Sequence, residues 1–437
     1  MSVYSELRKK IKGRNAVVTI VGLGYVGLPI ALEFCKKGFI VKGLDNNTRR
    51  IEKLRKKISY IDDISSEEIV EILKKGTFDV TTDEKVLNKS DVIILCVPTP
   101  LRKVKEPDMS YLIYASRSLR KYLRSGQLVI VESTTYPGTT REVILTELEK
   151  SGYKLDEDFF LAFSPERIDP GNPRYGLVNI PKVIGGLTKL STDLGKLLYS
   201  QILKNVVPVS SAETAEVTKL LENTFRIVNI GLINEFAMLC SRLNIDVWEV
   251  IKAAGTKPFG FMPFYPGPGI GGHCIPADPM YLSWKARKVG FETKMVDLAA
   301  WTNRRMPEYV VERTVNFLKD QKKKLSLGKV LIVGVSYKKD VNDLRESPAL
   351  EIIKGLKKKK INIAYHDDHI PYINVHGIKM KSRKLTPREI RKHDIVLVIA
   401  DHSYLDYKMI ADEAKLVYDT RNVFETKKIK KENIFKL

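Results

Sequence analysis

Cysteine is scarce in this chain, with four in 437 residues, at positions 35, 96, 240 and 274. None stands in a paired spacing such as CxxC, which excludes a disulfide scaffold and leaves no basis for a structural zinc site. No apolar run reaches the length that spans a bilayer. The opening "MSVYSELRKKIKGR" is polar and basic, without the apolar stretch of a targeting peptide. Carboxylates are also in deficit: 52 Asp and Glu against 74 Lys and Arg give a net charge of +22. The basic runs, "QKKK" at 321–324, "KGLKKKK" at 354–360 and "KKIKKEN" at 427–433, lack interleaved aromatics and match no nucleic-acid-binding module. A solvated basic surface that gathers small anions is therefore expected, and nucleic acid is not. These absences together predict a reduced, cytoplasmic protein with no membrane or nucleic-acid partner.

With 43% hydrophobic and 29% charged residues, the composition is that of a folded globular chain, and its length exceeds a single core. "AVVTIVGLGYVG" reads as an apolar strand entering a glycine turn, and "LPIALEFCKKG" as the helix that follows. "FIVKGLD", "DVIILCVPTP", "QLVIVESTTYPG" and "FFLAFSPERIDPGN" continue as strands whose unbroken apolar runs suit a parallel sheet covered on both faces. From about residue 212, more than thirty positions carry apolar residues at helical spacing, predicting one long helix. "DVWEVIKAAG" and "MYLSWKARKVG" read as further helices, and at 328 the strand–helix alternation resumes. The expected fold is α/β: two Rossmann-like doubly wound domains joined by a long central helix and a helical middle domain. The boundaries expected are 1–208, 209–320 and 321–437.

Two stretches carry chemistry. "GLGYVG" follows a strand and opens a helix, and Asp45 ends the next strand. Gly22 permits the tight turn, Gly24 admits a pyrophosphate to the backbone, and Gly27 lets the helix pack on the strand. Asp45 accepts from ribose hydroxyls and repels a 2′-phosphate, so NAD is expected rather than NADP; Arg50, further along, does not reverse this. The second stretch is "PGPGIGGHCIPADP", residues 266–279, which sets Cys274 among glycines and prolines. Cys35, Cys96 and Cys240 lie in apolar runs and read as small core residues. Asp278–Pro279 reads as a helix N-cap followed by proline at the first helical position, placing Cys274 just ahead of a helix N-terminus. On the residues alone, this loop suits a displayed nucleophile or an incidental thiol equally. His273 and Cys274 without a second pair do not make a metal site.

With these motifs in hand, the chain resembles the UDP-glucose/GDP-mannose dehydrogenase family. "VGLGYVGLP", "VPTP", "ESTTYPGTT", "SPERIDPGN", "GGHC" and "KKDVNDLRESPA" carry the resemblance in the family's order over nearly the whole chain. It implies NAD-dependent four-electron oxidation of a nucleotide sugar's C6 alcohol to a carboxylate, through a thiohemiacetal and thioester on Cys274. Within the family, "KPFGFMPFYPGPGIGGHCIPADP" with "SPERIDPGN" looks most like the UDP-N-acetylglucosamine 6-dehydrogenase branch. UDP-N-acetylmannosamine dehydrogenases usually carry His-Pro-Arg where this chain has "TKPFGF". UDP-glucose dehydrogenases usually have lysine at Ala277 and a second carboxylate at Pro170.

Carried over residue by residue, the resemblance implies a catalytic set of Cys274, Lys219, Asn223, Asp278, Glu166 and Thr134. Lys219 and Asn223, spaced i, i+4, would flank the reacting oxygen; without the resemblance they read as a solvated lysine beside a polar neighbour. Asp278 and Thr134 match residues that hold a water near C6, and Glu166 matches the acid/base of thioester hydrolysis. The cofactor contacts implied are Gly22, Gly24, Tyr25, Val26, Gly27, Asp45, Arg50, Thr99, Thr134 and Arg345. The UDP-N-acetylhexosamine contacts implied are Glu166, Arg167, Lys219, Asn223, Arg226, Phe264, Tyr265, Gly267, Gly271, Lys338 and Arg421. A homodimer through the central helix is expected, while a trans-acting arginine upstream of the glycine loop is not evident.

Overall fold

The structure is a computed structural model, described here for residues 2–61, 64–102, 106–168, 172, 175–272 and 274–437, with Cys274 described by its backbone alone. The chain forms two compact units, residues 1–222 with 280–291, and residues 223–279 with 292–437.

The first unit is built on an eight-stranded sheet of order β3-β2-β1-β4-β5-β6-β7-β8. Its strands are β1 (Val17–Val21), β2 (Ile40–Leu44), β3 (Phe78–Thr81), β4 (Val92–Leu95), β5 (Gln127–Val131), β6 (Phe159–Phe163), β7 (Lys182–Gly186) and β8 (Val206–Pro208). Neighbours are parallel except β6 and β7. Successive residues of one strand feed opposite cores: Ile94, Leu128 and Ile130 pack on one face, Ile93, Leu95, Val129 and Val131 on the other. That two-sided burial is why these runs are apolar at every position instead of alternating. The strand order reverses between β1 and β4, the place where doubly wound sheets bind nucleotides.

The second unit carries a five-stranded parallel sheet of order β10-β9-β13-β14-β15. It consists of β9 (Lys329–Val333), β10 (Asn362–His366), β13 (Ile395–Val398), β14 (Val417–Asp419) and β15 (Ile434–Lys436), beside a hairpin of β11 (Tyr372–Val375) and β12 (Ile378–Lys381). Val330 and Ile332 pack to one side, Leu331 and Val333 to the other. The helical part of this unit packs residues 223–243 of the Ala212–Leu243 helix against the Lys294–Asp320 helix. They approach closely because Gly231 has no side chain: a Cβ there would lie 3.1 Å from the Cα of Ala299. Asn234 clasps the crossing, donating to Asn303 Oδ1 at 2.8 Å, and Asn303 donates to the Ile227 carbonyl at 3.0 Å.

Both Rossmann-like sheets and the long helix match the expected fold, with two differences. The first sheet is not wholly parallel, because β7 runs against β6. The helix holding Asp278 begins at Cys274, so Pro279 lies inside it and Asp278 is not its N-cap. Pro276, at the third helical position, lacks only an N–H that would have had no intrahelical acceptor, so the helix can start a turn earlier than the Asp-Pro pair suggests.

Candidate active site

β1 ends in Gly22, whose φ of 93° is open to glycine and strained for other residues. A Cβ on Gly22 would sit 2.5 Å from the Cys96 carbonyl oxygen, and one on Gly27 would sit 1.9 Å from the Gly22 carbonyl oxygen. A Cβ on Gly24 would meet nothing within 4 Å. Gly22 and Gly27 are therefore required by the protein's own packing, while Gly24 opens onto space that a pyrophosphate can enter. The helix beyond it, Gly27–Lys36, follows Tyr25 and Val26 and has no side-chain cap at its N-terminus. Asp45 is buried, with Oδ2 accepting from the Leu23 amide at 2.8 Å and Oδ1 from the Asn47 amide at 2.8 Å. Arg50 Nη1 lies 3.2 Å from Asp45 Oδ2. Tyr60, which the motif reading missed, donates its hydroxyl to the Leu23 carbonyl at 2.6 Å and braces the same turn. No spacing signal points to it. These residues fit an NAD-type dinucleotide.

Further along the same sheet edge, buried Thr99 accepts at its carbonyl from the Tyr281 hydroxyl at 2.5 Å, and Thr134 stands half-buried after β5. The "PGTT" turn is tied to the long helix by Glu216, which accepts from the Gly138 amide at 2.5 Å, the Thr140 amide at 2.9 Å and the Thr140 hydroxyl at 2.7 Å. Burial pushes the Glu216 carboxyl up to about 7 against the pull of those donors. Glu166 is 9% exposed; its Oε1 accepts from the amides of Arg167 at 2.6 Å and Ile168 at 2.5 Å. Arg167 is occupied by Glu222, at 3.2 and 2.5 Å, and by the Pro181 carbonyl at 2.7 Å. Lys219 is only 5% exposed as a residue, and its side chain makes no hydrogen bond or ion pair with a described residue. Cys96, expected as a core residue, is only partly buried against the core, and desolvation and then the Glu132 carboxylate hold its thiol well above the ordinary range.

In the second unit, Asn223 donates from Nδ2 to Asp278 Oδ2 at 2.6 Å, and Asp278 is fully buried. Arg226 is exposed on the long helix. Phe264 packs edge-on to Phe225, and Tyr265 stacks on Trp248. The Gly267 amide donates to Asn234 Oδ1 at 2.9 Å. A Cβ on Gly267 would lie 2.7 Å from Arg421 Nη1, and one on Gly271 would lie 2.6 Å from the Tyr337 Cβ. The glycine loop thus lies against the carboxyl-terminal sheet domain because it has no side chains to hold it off. Arg421 donates from Nε to the Ile399 carbonyl at 2.7 Å, Lys338 is half-buried, and Arg345 is exposed and paired with Asp343 at 2.6 Å. The side chain of Cys274, together with His273 and Pro170, lies outside the described residues.

Two other features of the second unit were unforeseen. Asp340, His369 and His402 gather their potential ligand atoms within 4.8 Å of one another. Both ring nitrogens of His402 are already engaged, Nδ1 by the Asp340 amide at 2.9 Å and Nε2 by Asp367 at 3.1 Å, so this trio is a hydrogen-bonded cluster and not a ligand set. An open cavity of about 530 Å³ is lined by His366, Tyr372, Lys381, Arg383 and Tyr404 among others, and none of the expected site residues reaches it.

A dinucleotide turn ending in a ribose-type aspartate, a second Rossmann-like domain and a glycine loop leading to a cysteine define an NAD-dependent oxidoreductase of the two-Rossmann-domain class. The chain belongs to the UDP-glucose/GDP-mannose dehydrogenase family: residues 16–203 match its NAD binding domain, 213–305 its central domain and 331–426 its UDP binding domain. It is 38% identical, over 89% of its length and 91% of the relative's, to a UDP-N-acetyl-D-glucosamine 6-dehydrogenase of Pseudomonas aeruginosa. It is 34% identical, over 95% of its length and 94% of the relative's, to a UDP-N-acetyl-D-mannosamine dehydrogenase of Methanocaldococcus jannaschii. A UDP-D-ManNAc dehydrogenase structure from Pyrococcus horikoshii superposes with a TM-score of 0.86 at 30% identity, covering 96% of this chain and 98% of that one. No helix among the described residues is long and apolar enough to cross a membrane.

Proposed function

We propose that this enzyme oxidises the C6 alcohol of UDP-N-acetyl-D-glucosamine to the carboxylate, in two oxidations per sugar, supplying a precursor for surface polysaccharide. Bound NAD+ supplies the hydride acceptor for each oxidation. Lys219 and Asn223 donate to the C6 oxygen as it gains alkoxide character, while its proton passes to a water held by Asp278 and Thr134. The Cys274 thiolate then adds to the aldehyde carbon: a C–S bond forms, the C=O π bond opens, and the oxygen takes a proton back from the held water, giving a thiohemiacetal. The second oxidation leaves a thioester; Glu166 takes a proton from water as it attacks, the C–S bond breaks, and the acid and thiolate are released. Arg226, Arg167, Lys338 and Arg421 are the cationic candidates for the diphosphate and acetamido groups, the uridine runs along Phe264, Tyr265, Gly267 and Gly271, and Arg345 reaches the cofactor.

The observation that carries this reading is Lys219, a lysine only 5% exposed whose side chain bonds to no described residue. It stands one helical turn from Asn223, which is itself bonded to buried Asp278. The relative named for UDP-N-acetyl-D-glucosamine favours that sugar, and those named for UDP-N-acetyl-D-mannosamine keep the C2 epimer as the second reading. An NADH-formation assay across UDP-hexoses and UDP-N-acetylhexosamines tests it. Two NADH per UDP-N-acetylglucosamine, with that sugar preferred, is the expected result. Preference for the mannosamine epimer or for UDP-glucose would replace the substrate.

The proposed homodimer through the central helix is supported by apolar side chains left exposed in the second unit. Leu232, Phe236, Leu239 and Leu243 on the long helix and Leu298 and Trp301 on the next one are all about half exposed. Sedimentation of Phe236→Glu tests this, a monomer being expected.

A further inference from the structure

Beneath Glu166 the first unit holds a second carboxylate and a lysine that none of the motifs explains. Lys182, at the start of β7, lies 2.7 Å from Glu132 Oε2 and 3.6 Å from Glu166 Oε2. All three are nearly excluded from solvent, with relative exposures of 4% for Lys182, 1% for Glu132 and 9% for Glu166. Glu132 is held at both ends, since its Oε1 accepts from the Tyr199 hydroxyl. The Tyr199 ring also lies 5.3 Å from the Lys182 ammonium. Glu166 is held at one end only. Its Oε1 takes two amide donors, and its buried Oε2 makes no hydrogen bond with a described residue.

Two carboxylates against one ammonium is a poor device for stability, because the desolvation of three buried charges exceeds what two contacts return. It is a suitable device for holding one carboxylate oxygen ready. We infer that Lys182 is a positioning residue for Glu166: it fixes the carboxylate with Oε1 on the backbone and Oε2 open to a reacting water, and Glu132 competes for the same ammonium. Burial pushes Lys182 down, but the two carboxylates more than reverse this, so it stays charged. Burial raises Glu132, opposed by Lys182 and reinforced by Glu166. Among the described residues, the other titratable groups facing this cluster are Cys96 beyond β4 and Tyr199. The Arg167 guanidinium turns away to Glu222. Lys182 thus fixes where the open Glu166 oxygen faces a reacting water, and Glu132 competes for that hold.

This inference rests on Glu166 being the base of thioester hydrolysis, so the test includes Glu166→Gln. Acid formation is followed against pH with the full-length enzyme, NAD+ and UDP-N-acetylglucosamine. Acyl adduct on Cys274 is read in parallel by mass spectrometry of acid-quenched protein. Lys182→Met leaves two buried carboxylates without a cation, so the acidic limb of the rate profile moves up by about one pH unit, roughly tenfold in rate at a fixed pH on the limb. Adduct should then accumulate at pH values where the wild type shows none. Glu132→Gln leaves Lys182 facing Glu166 alone, so the limb moves down, and Lys182→Arg restores the wild-type profile. If Lys182→Met does not fold, Glu132→Gln decides by itself. Superimposed profiles, or shifts in the same direction for both variants, overturn the inference while Glu166→Gln remains impaired. A Glu166→Gln enzyme with full acid formation and no adduct overturns the underlying role of Glu166 and the inference with it.

Discussion

Replacing Asp45 with Asn tests the cofactor site where charge decides the outcome. The carboxylate is buried at the end of β2 and spends Oδ2 on the Leu23 amide and on Arg50, at 2.8 and 3.2 Å. The 2′-phosphate of NADP+ would bring more than one negative charge within a few ångströms of that oxygen. A unit pair at about 4 Å costs about 4 kcal/mol at an effective dielectric of about 20, and Arg50 offsets part of it. A net penalty of about 3 kcal/mol corresponds to a preference for NAD+ of roughly 100-fold. Asn is nearly isosteric and keeps an oxygen for the Leu23 amide, but it carries no charge and leaves Arg50 free to meet a phosphate. The ratio of kcat/KM for NAD+ to that for NADP+, measured with saturating UDP-sugar, should fall by roughly that factor in Asp45→Asn. Thermal unfolding run alongside confirms that the glycine turn survives. An unchanged ratio in a folded variant, or a wild type indifferent to the two cofactors, would refute the reasoning.

Asn223→Ala removes the donor 2.6 Å from Asp278 and one of the two groups proposed to hold the C6 oxygen. Initial rates should show kcat down by roughly 10²-fold with little change in KM for the sugar, whereas a change in KM alone would deny Asn223 a transition-state role. Gly271→Ala forces a Cβ to 2.6 Å from the Tyr337 Cβ and 3.0 Å from the Glu346 carbonyl oxygen, neither of which is a movable tip. It should cost about 1–3 kcal/mol in unfolding assays and raise KM for the UDP-sugar. Gly267→Ala meets the flexible Arg421 guanidinium and should be milder. Glu216 holds its proton to about 7, above the ordinary 4.5, so the folded chain binds more protons than the unfolded chain between those values. Its contribution to stability is therefore full below about pH 4.5 and lost as pH rises toward about 7, by about 3 kcal/mol. Urea unfolding of wild type and Glu216→Gln at pH 5 and 8 should show the wild type losing ground to the variant, and parallel pH dependences would contradict the assignment.

The two Rossmann-like sheets were legible because strands buried on both faces carry near-continuous apolar runs, as in "VIIL" and "QLVIV". Gly22 and Gly27 were legible because each answers a steric demand local to the turn. What escaped the sequence depends on pairings distant along the chain. Lys182 begins the unremarkable run "KVIGG", and only the fold brings it to Glu132 and Glu166, 50 and 16 residues earlier. Asp278 looked like a cap because Asp-Pro is a frequent helix start, yet its carboxylate is used by Asn223, 55 residues away. Tyr60 and Glu216 were invisible for the same cause, since their hydrogen bonds reach Leu23 and Thr140 across the sheet edge.

The covalent role of Cys274 is the claim on which the proposed reaction turns. Enzyme quenched in acid during steady turnover of UDP-N-acetylglucosamine and NAD+, then digested, should yield a Cys274 peptide heavier by the oxidised sugar nucleotide. Cys274→Ser should yield neither that peptide nor the acid. Acid formed by Cys274→Ser at the wild-type rate would contradict the account.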